Sequence, residues 1–228
     1  MALPRHIAMI MDGNGRWAAE NNVPRIMGHR SGVKTVDVIT EACARKGIKA
    51  LTMYTFSSEN WKRPKKEVNA LMDLIERTLK KNEKKMKDNN IRFNAIGRIE
   101  GLPESLQGVI KDLKEKTASN DGMVLSLALN YGGRQEIIDA AKAAAEAQGK
   151  DISDLKEEDF ADFLYTHDLP ELDLVIRTSG EMRISNFLLW QSAYSEFYVT
   201  DTLWPDFSVK ELEKALDEYG KRERRFGG

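Results

Sequence analysis

Six short apolar runs rich in β-branched residues recur along this 228-residue chain, each separated from the next by residues that repeat at helical spacing. The runs occupy 7–11, 50–56, 91–97, 123–130, 172–178 and, less sharply, 196–200. A near-continuous apolar run bounded by turn residues suits a strand buried on both faces, and strands alternating with helices join in parallel through crossovers. The pattern therefore predicts a single α/β domain over residues 1–228, built on a mainly parallel sheet of about six strands flanked by helices. In such sheets function gathers at the carboxyl ends of the strands. The length suits one well-packed domain, and no interior stretch reads as a linker.

The helices are predicted from residue 16 onward and over 33–46, 67–89, 103–119, 134–148, 157–165, 186–193 and 208–219, with Pro103 placed to open the fourth of these. Val68, Leu71, Met72, Ile75, Leu79 and Met86 give the 67–89 stretch an apolar stripe opposite a lysine-rich face, and the run KKNEKKMK reads as that solvated face. Lys plus Arg number 35 against 36 Asp plus Glu, so the chain has no basic field for nucleic acid, and none is expected as a partner. A lone cysteine, Cys43, makes no internal disulfide and reads as a packed core thiol. With no leading signal segment and no apolar run near 18 residues, a soluble, cytoplasmic protein is expected.

Three polar clusters sit where predicted strands end. In HIAMIMDGNGRW, Asp12 stands between a strand and a loop bracketed by Gly13 and Gly15, where the backbone turns sharply and approaches a ligand. A helix from Arg16 onward would aim free N–H groups at an anion, Arg16 would add a donor fork and Trp17 an apolar wall. Read alone, the same residues make an ordinary turn. The second cluster is FSSENWKRP, with Ser57, Ser58, Glu59, Asn60 and Arg63 positioned to face one pocket or to serve as loop and capping residues. The third is LVIRTSGEMRISNFLLWQ, where Arg177 and Arg183 flank a Gly turn near Ser185 and suggest a second anion site. Glu196, beside many aromatic residues, is costly unless paired or on a metal, and with Asp12 it offers hard oxygen ligands suited to Mg²⁺; read alone, it is a surface carboxylate on an exposed strand. His29, after a glycine and four residues past Arg25, reads as a phosphate donor or a cap, whereas His6 and His167 read as structural or solvated. Zinc spacing, a GxxxxGK[ST] loop and a GxSxG elbow are all lacking.

These segments, together with RIMGHRSG, LTMYTFSSENWKRP, NYGGRQEI, DLVIRTSGEMRISNFLLWQSAYSEFY, LWPDF and the terminal RERRFGG, resemble the cis-prenyltransferases over nearly the whole chain, and in particular their bacterial branch that makes undecaprenyl diphosphate. The resemblance implies a homodimer that extends an allylic diphosphate, typically farnesyl diphosphate, with isopentenyl diphosphate units, each adding a Z double bond. It implies an apolar tunnel for the growing chain and at most transient membrane contact during product release. By motif position, Asp12 would carry Mg²⁺ and assist departure of the allylic diphosphate, with Glu196 as the second metal-associated carboxylate. Gly13, Asn14, Gly15, Arg16, Arg25 and His29 would hold that diphosphate. Arg177, Arg183, Ile184 and Ser185 would hold the isopentenyl diphosphate. Asn60 occupies the position assigned to proton removal; an amide is a poor base, so it reads as an orienting or relay group. Trp17, Ser57, Ser58, Glu59, Trp61 and Arg63 would surround the substrates, and Arg225, Phe226 and Gly227 would reach the neighbouring subunit. The tunnel is expected between the sheet and the 67–89 helix, with Met123 and Leu129 at its deep end. Met182 departs from the family pattern, where a polar residue is usual. A noncatalytic subunit of this fold and a phosphate-binding regulatory module are the competing readings.

Overall fold

The computed structural model describes residues 3–147, 149 and 151–222. Its strands are β1 (His6–Ile10), β2 (Ala50–Ser57), β3 (Arg92–Ile96), β4 (Val124–Tyr131), β5 (Leu174–Arg177) and β6 (Glu196–Val199). Its helices are α1 (Asn14–Glu20), α2 (Arg25–Arg45), α3 (Lys65–Asp88), α4 (Glu104–Lys116), α5 (Gly133–Ala147), α6 (Glu157–Ala161) and α7 (Val209–Lys221). The strands form one sheet in the order β3-β4-β2-β1-β5-β6, and every neighbouring pair is parallel. All six expected strands are present, and the sheet is parallel throughout the described residues.

Alternation along each strand separates two apolar layers. Ile7, Met9, Leu51, Met53, Leu125 and Leu127 face a large cluster that also takes in the stripe of α3 and buried residues of α2, α4 and α7. Ala8, Ile10, Ala128 and Val175 face the other way, against Phe187 and Leu188. Cys43 is fully buried in the first cluster, and burial pushes its thiol pKa up to about 12, the expected inert core thiol.

Two helix expectations fail. Residues 186–193 form turns, because Ser185, Asn186 and Leu188 adopt φ of 51°, 61° and 44°, incompatible with a right-handed helix. Asn186 is instead committed to the start of α5: its carbonyl accepts Gly133 N–H at 2.7 Å and its side-chain oxygen accepts Arg134 N–H at 2.9 Å. The 157–165 helix ends at Ala161 and continues as shorter turns, with Leu164 N–H reaching back to Ala161. Pro103 caps α4 from just outside rather than opening it from within.

Sheet order fixes where a ligand meets the fold. The chain leaves β1 toward β2 on one side and leaves β5 toward β6 on the other, so a crevice opens beyond the carboxyl ends of these two adjacent strands. Ile10 and Arg177 are register partners at that edge.

Candidate active site

Asp12 follows β1 at the crevice, and Arg177 closes β5 beside it. Their side chains pair, Arg177 Nη2 donating to Asp12 Oδ2 at 2.8 Å. Arg177 is 4% exposed. Its other terminal nitrogen donates to Ser185 Oγ at 2.8 Å and to the Arg183 carbonyl. The remaining carboxylate oxygen of Asp12 accepts Gly13 N–H at 2.8 Å. Gly13 has φ of 106°, a conformation that L side chains rarely adopt, and Leu203 packs directly where a Cβ would stand.

Two cavities meet at Asp12. The smaller, about 470 Å³, is lined by Gly13, Gly15, Arg16 and Arg25 as well as Asp12. The larger, about 640 Å³, takes Asp12, Arg177, Ser57, Asn60, Arg63 and Ser185 on its polar side. Ile10, Met11, Ile184 and Leu189 form its apolar side. Of the residues expected around the first anion, Gly13, Gly15, Arg16 and Arg25 line the smaller cavity while Asn14 and His29 line neither, and of those expected around the second, Arg177, Ile184 and Ser185 line the larger. Arg16 is held over the smaller cavity by the Ser179 carbonyl at 2.7 Å and by Glu181 at 3.4 Å. The loop lies close over α2 because Gly28 and Gly32 leave room: a Cβ on Gly28 would collide with the Asn14 carbonyl, and one on Gly32 with the Asn14 side-chain oxygen.

Asn60 sits in a 3-10 turn, Ser58–Lys62, that follows β2. Its Oδ1 accepts Ser57 N–H at 3.2 Å, which leaves the NH₂ for the cavity it lines. An amide so committed donates, in line with an orienting role. Glu59 lines the same cavity. Burial opposes its charge, but hydrogen bonds from Asn186, from its own backbone and from Ser57 and Ser58 outweigh that and hold the carboxyl below the ordinary range. Trp61 donates to Asn130 Oδ1 at 2.8 Å and packs edge-on against Phe56.

Several expected residues lie elsewhere. Trp17 lines neither cavity; its indole N–H donates to Asp206 at 2.9 Å. Arg183 contributes its carbonyl to Arg177, while its guanidinium turns outward to Glu181 at 2.5 Å. Glu196 is the register partner of Leu174, three residues before the Arg177–Val199 pair, and so sits roughly 10 Å back along the sheet from the edge that carries Asp12. There it pairs with Arg222 at 2.7 Å. Within one chain Glu196 does not join Asp12. Met182 is 87% exposed. Arg225, Phe226 and Gly227 lie outside the described residues.

The donor set nonetheless fits Mg²⁺. Among the described residues no group of three or more His, Cys, Asp or Glu side chains is placed to hold a metal. Magnesium suits one carboxylate supplemented by water and substrate phosphate, and Asp12, 35% exposed at the meeting of two cavities, offers that carboxylate.

His29 lies inside α2 rather than before it, since that helix begins at Arg25, directly after Pro24 and eight residues before the start expected at 33. Burial, then the positive charges of Arg63 and Arg25, lower its pKa to about 4, and its Nε2 is buried without a partner. His6 is lowered to about 4 as well, chiefly by burial, and bonds Thr52 Oγ1 at 2.7 Å. A histidine held neutral in the fold and protonated near pH 6.5 when unfolded stabilises above that pH and loses its contribution as pH falls toward 4. The free energy of unfolding is therefore expected to fall between pH 6.5 and 4, by up to about 1.4 kcal/mol per pH unit for each histidine, and the unfolding midpoint with it. His29→Gln is expected to flatten that slope; thermal melts across the range check it.

Sequence reasoning missed Arg134 and Asn186, which line the larger cavity, and Tyr54, whose hydroxyl donates to the Ser185 carbonyl at 3.2 Å. Arg134 stands just past the end of β4, where the strand-end rule would have flagged it.

Residues 10–227 match the family model described as "Putative undecaprenyl diphosphate synthase". The chain belongs to this family. It is a prenyltransferase, as are its relatives. It is 53% identical to an isoprenyl transferase of Fusobacterium nucleatum, over 99% of this chain and 96% of the relative. It is 49% identical to that of Thermotoga maritima, over 100% and 98%. Among solved structures it resembles a lavandulyl diphosphate synthase from Lavandula x intermedia in complex with dimethylallyl diphosphate, at TM-score 0.94 and 38% identity, with 99% of each chain covered. A probable undecaprenyl diphosphate synthase from Campylobacter jejuni matches at TM-score 0.84 and 37% identity over 100% of both chains. The prenyltransferase reading and the parallel α/β fold thus stand. Among the described residues no helix is long and apolar enough to cross a membrane.

Proposed function

We propose that this chain condenses isopentenyl diphosphate units onto an allylic diphosphate primer, farnesyl diphosphate, in the Z configuration and with Mg²⁺, making undecaprenyl diphosphate, the precursor of the cell-wall glycan lipid carrier. The observation that carries the reading is the Asp12–Arg177 pair at the point where two arginine-lined cavities meet. Two diphosphates side by side need two such seats, with their reacting carbons directed at one place.

The allylic diphosphate occupies the smaller cavity, where Arg16 and Arg25 lie. The isopentenyl diphosphate occupies the larger, where the Arg177 guanidinium and Ser185 face it. As the allylic carbon–oxygen bond breaks and the new carbon–carbon bond forms, negative charge gathers on the departing diphosphate. Fixed guanidiniums stabilise that charge without reorganising, and a bound Mg²⁺ at Asp12 supplies further neutralisation. Asn60 orients the isopentenyl unit with its NH₂, and the proton lost from that unit passes to Asp12 or to the departing diphosphate.

The growing hydrocarbon runs between the sheet and α3; Leu129, the register partner of Phe56 beside the cavity-lining Ser57, lies at its mouth and not at the deep end expected, and Met123 lies at the far end of β4, both in the apolar cluster on that face. Each five-carbon unit removed from water gains on the order of 3–4 kcal/mol. The enzyme works as a homodimer in the cytoplasm and touches membrane only to unload. The dimer is supported by β6, whose outer edge closes the sheet order, and by Phe197 on it, 44% exposed.

Labelled isopentenyl diphosphate, supplied with farnesyl diphosphate, is expected to enter butanol-soluble lipid. Chelation of divalent cations should stop incorporation, and added Mg²⁺ should restore it. Diphosphate binding without incorporation would return the protein to the class of regulatory modules.

A further inference from the structure

The two cavities share more than Asp12. Arg25 lines the smaller and Arg63 the larger, yet both guanidiniums address a single atom, Oε1 of Glu67. Arg63 Nη1 lies 3.1 Å from it and Arg25 Nε 3.4 Å. Glu67 stands in the first turn of α3, with its side chain only 20% exposed. His29, between the same two arginines, stays neutral and lends no competing charge.

We infer that Glu67 is a positioning residue that couples the two cavities, so that a diphosphate in either one raises the affinity of the other. The inference rests on the reaction proposed above. Two guanidiniums this close repel, and one shared carboxylate holds both while dividing its charge between them. A diphosphate entering the smaller cavity carries more negative charge than Glu67 and draws Arg25 to itself. The carboxylate is then left to Arg63, which is fixed at the larger cavity before the second diphosphate arrives. That diphosphate no longer meets the entropy of ordering a long side chain, so it binds more tightly. By linkage the effect is reciprocal. Glu67 does this without touching the reacting atoms.

The test titrates the full-length protein with isopentenyl diphosphate, with and without a thio-substituted farnesyl diphosphate that does not ionise. In the wild type the analogue is expected to tighten isopentenyl diphosphate binding by about fivefold or more. In Glu67→Gln that factor should fall close to one while each ligand still binds singly, and Glu67→Asp should restore part of it. A merely structural role would weaken both ligands and leave the ratio unchanged. Should either Glu67 variant fail to fold, Arg25→Lys breaks the same shared contact from its exposed side and must lose the factor too. A wild type without coupling, or a Glu67→Gln protein that keeps it, overturns the inference. A wild type that binds both diphosphates but joins none of them overturns the proposed reaction instead.

Discussion

Asp12→Asn is expected to reduce incorporation of isopentenyl diphosphate by about 10²–10³-fold or more while the protein remains folded. The substitution keeps the shape of the side chain, and an amide oxygen still serves to accept Gly13 N–H. What it removes is the charge. Arg177 is 5% exposed in its side chain, and Asp12 is the carboxylate that pairs with it. The variant leaves that guanidinium its two other acceptors, the Arg183 carbonyl and Ser185, but no counter-charge. Losing one charge-assisted bond costs about 1.5–3 kcal/mol, and in a chain of this size each kcal/mol moves the unfolding midpoint by about 2–4 °C. The variant should therefore melt several degrees lower and still unfold cooperatively. Activity falls much further than stability, because the carboxylate is also the hard oxygen that fits Mg²⁺. Labelled incorporation and a thermal melt on the same preparation separate the two effects. Near-normal turnover in a folded Asp12→Asn protein would remove Asp12 from the chemistry.

Strands were the most legible part of the sequence. Burial on both faces forces a continuous apolar run that few other structures need, and all six runs became strands within two residues of their expected ends. Loops whose conformation depends on distant partners were not legible. FLLWQSA carries helix-forming residues, yet Asn186 is taken by the start of α5, and Leu188 N–H by the Tyr131 hydroxyl at 3.2 Å. Those tertiary bonds outweigh local propensity. That Asp12, Asn60, Arg63, Arg177 and Ser185 gather around one cavity was legible because each follows or ends a strand at the carboxyl edge of the sheet. Glu196 stands apart from them within one chain for the converse reason: it begins its strand, and a parallel sheet places a strand's beginning at the opposite edge. Glu67 gave no signal at all. Its neighbours in sequence are helix-start residues, and its meaning arises only when α3 brings it between an arginine of α2 and one from the turn after β2.

Gly28→Ala decides between propensity and packing. In an exposed helix interior this change gains up to about 1 kcal/mol, because alanine has less backbone freedom to lose. Gly108 in α4 has nothing within 4 Å of its would-be Cβ, so Gly108→Ala should raise the unfolding midpoint. Gly28 is different: its Cβ would meet the Asn14 carbonyl, which is backbone and does not swing aside, with the Ala18 Cβ 3.3 Å away on the same side. Relief requires α1 to move off α2. Overpacking of this kind costs about 1–3 kcal/mol, more than the propensity gain, so Gly28→Ala should lower the midpoint. Moving α1 also shifts Gly15 and Arg16, which line the smaller cavity. A displacement near 1 Å at a catalytic contact costs on the order of 10²-fold in rate, so activity should fall more steeply than stability. The two glycine variants thus move the midpoint in opposite directions, and only Gly28→Ala loses turnover. If both proteins melted higher than the parent, the close approach of α1 to α2 would not be what holds the Asp12 loop in place.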